Sequence, residues 1–135
     1  INVAYYRKLQ QGFDVQNENG AIIKNSLVTK PGLAPKSYAF CSDTVYNESM
    51  VPLIKNVSVL YHESTFLDQH KKLADPTKHS TAKQAASIAK QADAGTLILG
   101  HFSTRYGNIN VFKKEALSVF ENVELAEDGK VFEFK

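Results

Sequence analysis

The stretch Thr81–Gly100, TAKQAASIAKQADAGTLILG, decides the fold. Its first part has the 3.6-residue period of a helix: Ala85, Ile88, Ala89 and Ala92 form one apolar stripe, and Thr81 with Gln84 three residues on makes a capping box. Gly95 is the expected stop. The remainder, Thr96–Gly100, carries a continuous Leu97-Ile98-Leu99 run that suits a short strand buried on both faces. Upstream, the same reading gives a β-branched strand over Val57–Tyr61, a short helix over Glu48–Lys55 and an aromatic strand over Tyr38–Cys41. Downstream it gives a helix over Val111–Phe120. Asn122–Leu125 and Val131–Phe134 flank Glu127-Asp128-Gly129 as an expected closing hairpin. Strand, helix, strand, helix, strand requires parallel strands joined by crossover helices, so the chain reads as α/β with a mixed sheet once the hairpin is included. On this reading Asp43, His62-Glu63 and His101 each fall just past the C-terminal end of a strand. That edge is where open α/β sheets bind ligands.

Two regions are expected. Residues 1–36 are irregular, punctuated by Gly12, Gly20, Pro31, Gly32 and Pro35, with a hairpin about Asn19-Gly20; residues 37–135 form the α/β unit. The 135 residues have 43% apolar and 22% charged content, that of a soluble globular domain. A formal charge of +2 gives no field large enough to infer a nucleic-acid partner. The single Cys41 excludes an internal disulfide and suits a reduced cytoplasmic setting. No apolar run approaches the ~18 residues that span a bilayer. Ile1 in place of Met fits a processed or trimmed product, from which a targeting segment would already be gone.

The polar residues at the strand ends each have an ordinary use and a chemical one. Asp43, directly after a strand, suits a helix N-cap or Asx-turn, and it also suits a metal ligand held on a rigid element. His101 follows Gly100, which leaves room for close approach, and a neutral imidazole is a common metal ligand. Together the two favour the metal reading. His79 precedes the helix that starts near Thr81, where free N–H groups and the helix dipole would meet an anion beside its imidazole; the alternative is an exposed loop histidine. Glu63 is charged at the end of an apolar strand and needs a partner, for which a histidine is natural. His62, on the opposite face, is expected to be structural, and His70 to be solvated. Lys71, Lys72 and Lys78 could reach phosphates or simply be solvated.

Four motifs now stand in order: Ser42-Asp43-Thr44, His62-Glu63-Ser64-Thr65, His79-Ser80-Thr81 and Gly100-His101-Phe102-Ser103-Thr104-Arg105-Tyr106. In order and spacing they resemble the ribonuclease Z family, zinc-dependent endonucleases of the metallo-β-lactamase superfamily that process tRNA 3′ ends. The resemblance covers residues 5 to 134 or so, and Ser64 stands where the family has Ala. It implies the C-terminal half of an αββα sandwich, with Asp43 bridging two zinc ions and His101 binding one of them. It further implies His79 as proton donor, supported by Glu63. Ser80, Thr81 and Arg105 would steady the loops or a phosphate, a salt bridge being the ordinary role of Arg105. The implied substrate is precursor tRNA, cut after the discriminator nucleotide by metal-activated water, and the implied assembly is a cytoplasmic homodimer. The family's HxHxDH motif, a further ligand histidine and its RNA-gripping arm are not among these residues. Residues 1–36 would follow that arm. With two zinc ligands, this stretch alone is expected to bind zinc weakly, to leave tRNA uncut and to self-associate through an uncovered sheet face. Two other readings compete. One is a metallo-β-lactamase-type phosphodiesterase or arylsulfatase, and the other a non-catalytic α/β interaction module.

Overall fold

The structure, a computed structural model, describes residues 1–134 and divides into two compact units, Ile1–Pro35 and Lys36–Lys135. In the first unit, α1 (Tyr6–Gln10) is followed by a hairpin of β1 (Val15–Gln16) and β2 (Ile22–Ile23) and by α2 (Asn25–Val28). Val15 pairs antiparallel with Ile23. The Asn17 side chain accepts from the Asn19 and Ala21 amides, and Gly20 takes the positive φ of +81° that closes the turn.

In the second unit, β3 (Tyr38–Cys41), β4 (Val59–Glu63), α3 (Lys71–Ala74), α4 (Ala82–Gln91), β5 (Thr96–Gly100), α5 (Asn110–Leu117) and β6 (Val123–Leu125) follow in turn. The sheet order is β3-β4-β5-β6 and every pair is parallel. Between β3 and β4 the chain runs through a 3-10 helix, Glu48–Ile54, which contains Pro52 and is capped by the Asn47 side chain. Pro52 has no N–H to give, so the ladder of any helix there is incomplete.

Helix α4 starts as its sequence dictates. The Thr81 hydroxyl accepts from the Gln84 amide while the Gln84 side chain accepts from the Thr81 amide. Ala85, Ala86, Ile88 and Ala89 then pack with Phe112 and Ala116 of α5 against Leu60, Leu97, Leu99, Val123 and Leu125. The small alanines let α4 lie close on the sheet, and Phe112, fully buried, is the largest side chain in the layer. The other sheet face carries Phe40 stacked on Tyr61, ring centroids 4.6 Å apart, with Phe40 62% exposed.

Three details differ from the sequence reading. The expected hairpin does not form: β6 pairs parallel with β5, and residues 131–134 belong to no strand. The turn is present, with Gly129 at φ +80° and the Lys130 amide bonded to Glu127, but the segment beyond it leads back to β3. There the Phe134 ring meets Tyr38 edge-on and the Phe134 carbonyl accepts from Lys36. The sheet is accordingly parallel rather than mixed. Gly95 is not the helix stop. Asp93 takes the left-handed turn (φ 51°), whereas a Cβ on Gly95 would lie 2.5 Å from the Ser58 carbonyl oxygen, so glycine is needed where β5 approaches β4. Finally, β4 runs two residues further than expected, so that His62 and Glu63 lie within the strand, paired with Leu99 and Gly100.

Candidate metal centre

The C-terminal ends of β3, β4 and β5 are adjacent, and each delivers a polar side chain to the same edge. Glu63 ends β4 and is fully buried. A buried carboxylate is tolerated only when its oxygens are satisfied, and here five donors converge on it. Oε1 accepts from the Thr44 amide at 3.2 Å and from His79 Nδ1 at 2.7 Å. Oε2 accepts from the Thr65 amide at 3.0 Å, the Thr65 hydroxyl at 2.9 Å and the Ser80 amide at 3.1 Å. One side chain therefore gathers the loop after β3, the segment after β4 and the loop before α4.

The backbone completes the clamp. Phe66 and Thr81 form a parallel bridge, through Phe66 N to Ser80 O at 3.2 Å and Ala82 N to Phe66 O at 3.0 Å. The Ser80 hydroxyl donates to the Thr44 carbonyl at 2.6 Å, and the Ser64 amide and hydroxyl both reach the Gly100 carbonyl. Ser80 and Thr81 are buried with their polar groups engaged in these contacts and in the helix cap.

On this frame Asp43, His79 and His101 each present one ligand atom, and all three atoms lie within 4.8 Å of one another. Asp43 Oδ1 and His101 Nε2 are 3.3 Å apart, about the edge of a tetrahedron with ~2.0 Å bonds, the spacing of two ligands on one zinc-like ion. The His79 and His101 rings stack with centroids 5.1 Å apart. With Nδ1 given to Glu63, His79 Nε2 has no hydrogen-bond partner among the described residues. A carboxylate and imidazole nitrogens are the donor set that divalent transition metals take, and these residues fit such an ion.

The site holds unusual backbone. Asp43 (φ 47°), Lys78 (φ 63°) and His101 (φ 60°) are left-handed without being glycine. Such conformations cost of order 1–3 kcal/mol each and persist where surrounding contacts hold them. Gly100 serves another purpose: a Cβ there would press on the Tyr61 ring, so glycine leaves that side chain its place.

The remaining sequence candidates are placed as follows. His62 is buried on the helix side of the sheet. Its Nδ1 bonds to the Glu63 carbonyl at 2.7 Å, and its Nε2 has no partner among the described residues. Burial pushes its pKa below the ordinary value. His70 is not simply solvated: its Nδ1 meets the Tyr106 hydroxyl at 2.6 Å, and that hydroxyl also accepts from the Leu67 amide. Arg105 forms no ion pair among the described residues. Its guanidinium instead lies over the Phe66 ring, 5.5 Å from the centroid, and Phe66 in turn packs edge-on against His79. Burial raises the Cys41 thiol pKa, which suits a packing role and not a nucleophile. The residue that the sequence reading passed over is Thr65. The available signal was its spacing: two residues beyond Glu63, at an extended strand end, a side chain returns to the same side.

No protein-family model matches the chain. It is 49% identical to ribonuclease Z of Cytophaga hutchinsonii over 93% of its own length and 40% of that protein's. Against ribonuclease Z of Parabacteroides distasonis it is 41% identical over 96% of its own length and 42% of that protein's. The chain thus spans about two fifths of the length of these curated relatives. Among solved structures it is similar to the metallo-β-lactamase fold protein YhfI from Bacillus subtilis, with a TM-score of 0.64 and 31% identity, covering 69% of this chain and 38% of that one. It is also similar to the short form of human tRNase Z, with a TM-score of 0.52 and 32% identity, covering 66% of this chain and 29% of that one. The fold is that of the metallo-β-lactamase proteins over the matched part.

Proposed function

We propose, on the premise that this chain is a ribonuclease Z-family segment, that the protein containing it removes 3′ trailers from precursor tRNA by metal-assisted hydrolysis. The observation that carries the proposal is the convergence of Asp43, His79 and His101 beside the buried Glu63. The 41–49% identity to proteins called ribonuclease Z supports the substrate class.

In this reading Asp43 and His101 Nε2 would hold zinc, the Asp43 carboxylate having an oxygen for each of two ions. A catalytic zinc needs about three protein ligands per ion, so further donors outside these residues are part of the proposal. Bound there, divalent zinc supplies charge against the phosphoryl oxygens and a nucleophile from water at neutral pH. His79 supplies the proton. Its Nδ1–H stays on Glu63 while its Nε2–H passes to the leaving 3′ oxygen of the discriminator nucleotide, leaving a neutral imidazole, a 3′-hydroxyl on the tRNA and a 5′-phosphate on the trailer. Glu63 is a positioning residue: it aims the ring and takes no part in bond making. Arg105, exposed over Phe66, would meet a phosphate beside His79 in this reading. The resemblance adds a homodimer and a cytoplasmic setting to the proposal. Among the described residues no helix is long and apolar enough to cross a membrane.

The test is cleavage by the full-length protein of a precursor tRNA with a labelled trailer, beside a cyclic phosphodiester and an aryl sulfate. We expect a single cut after the discriminator, abolished by a chelator and restored by zinc. Turnover of the aryl sulfate or the small diester with intact tRNA would instead support the phosphodiesterase or arylsulfatase reading.

A further inference from the structure

A neutral imidazole has one N–H and one lone pair, and it can hold an ion through Nε2 only when the proton is on Nδ1. For His79 the hydrogen-bond partner settles the matter directly, because Glu63 Oε1, 2.7 Å from Nδ1, can only accept. For His101 the partner is a hydroxyl, which can give or take: Thr65 Oγ1 lies 2.8 Å from Nδ1.

The second contact of that hydroxyl removes the ambiguity. Thr65 Oγ1 is also 2.9 Å from Glu63 Oε2, whose other two partners are the Thr65 and Ser80 amides. Those donors make Glu63 an acceptor throughout, so the one hydroxyl proton of Thr65 points at Oε2. Turned toward His101 instead, it would leave two oxygens facing each other at 2.9 Å with no hydrogen between them. Its lone pair therefore faces Nδ1, and His101 must be the donor.

We propose that Thr65 is a positioning residue for the metal centre: it relays the acceptor character of Glu63 to His101, holds a proton on Nδ1 and so leaves Nε2, the atom beside Asp43, to the ion. One buried carboxylate thereby holds a proton on Nδ1 of both histidines, His79 by direct contact and His101 through the threonine hydroxyl. Hydrogen-bond partners of this kind around ligand histidines are worth 10–100-fold in metal affinity. The inference rests on the metal-site reading above as far as affinity is concerned. Its tautomer part stands on hydrogen bonding alone.

The experiment uses the full-length protein with ¹⁵N-labelled histidine, compared as wild type, Thr65→Val and Thr65→Ser. In the metal-free wild type, the imidazole nitrogen shifts should show His101 protonated on Nδ1, whether or not a second proton lies between Nε2 and Asp43 Oδ1, 3.3 Å away. Thr65→Val keeps the shape, removes the hydroxyl and should release His101 to a tautomer mixture, while His79, still on Glu63, keeps its signature as an internal control. Zinc affinity by chelator competition should fall 10–100-fold in Thr65→Val and return to within a few-fold of wild type in Thr65→Ser. A wild-type His101 with no proton on Nδ1 overturns the proposal without any variant, so failure of Thr65→Val to fold leaves it testable. Unchanged zinc affinity and unchanged His101 shifts in a folded Thr65→Val also overturn it. A wild type that binds no zinc while His101 carries the Nδ1 proton refutes the metal-site reading and leaves the tautomer relay standing.

Discussion

In the full-length protein, His79→Ala is expected to lower kcat for precursor tRNA by on the order of 10²–10⁴-fold, the worth of a positioned general acid, with zinc content unchanged. The expectation follows from how the two ring nitrogens are used. Nδ1 is committed to a buried carboxylate at 2.7 Å, which holds the ring, and Nε2 is the nitrogen left for a proton transfer at the edge where Asp43, His79 and His101 converge. In the proposed reading Asp43 Oδ1 and His101 Nε2, 3.3 Å apart, hold the ion and His79 is kept for proton transfer. Single-turnover cleavage with metal analysis of the same sample decides the point. Loss of zinc together with activity would make His79 a ligand and contradict its assignment as the acid.

The largest effect on stability is expected at Glu63. Glu63→Ala removes the acceptor for five donors that are drawn from three separate segments, and the Thr65 and Ser80 amides and the Thr65 hydroxyl are buried with it. Leaving buried polar groups unpaired costs about 1–3 kcal/mol apiece, and breaking a buried charge-assisted network about 3–5 kcal/mol. A loss of about 3–5 kcal/mol is therefore expected, read as a shift of the denaturation midpoint. Glu63→Gln should cost less but still more than a surface change, because its NH₂ must face a site built wholly of donors. A midpoint within error of wild type for Glu63→Ala would show that the carboxylate does not hold the loops together.

The same carboxylate explains where the sequence was legible and where it was not. Helix α4 and strand β5 follow from local signals that no tertiary contact opposes: a capping box, an alanine stripe and three consecutive apolar residues. The end of β4 was misjudged because His62 and Glu63 look like the close of an apolar run. They continue the strand because the Glu63 charge is met by donors distant in the chain, Thr44, His79 and Ser80, which no local pattern reveals. Distance in the chain also hides the terminal segment. Its turn residues promise a hairpin, but β6 already pairs with β5 and the tail is drawn to Tyr38, more than ninety residues away in sequence. The polar edge was readable from topology alone, since three strands must end side by side. The left-handed backbone at Asp43, Lys78 and His101 was not, since none of them is glycine. The role of Thr65 needed both of its hydrogen bonds to be seen together.

The central claim is that Asp43 and His101 form part of one metal centre. Its most direct test is the zinc content of the full-length protein after exhaustive dialysis, measured by mass spectrometry for the wild type, Asp43→Ala and His101→Ala. We expect bound zinc in the wild type and substantial loss in each variant, with the fold retained by circular dichroism. Wild-type zinc content in both variants would contradict the claim.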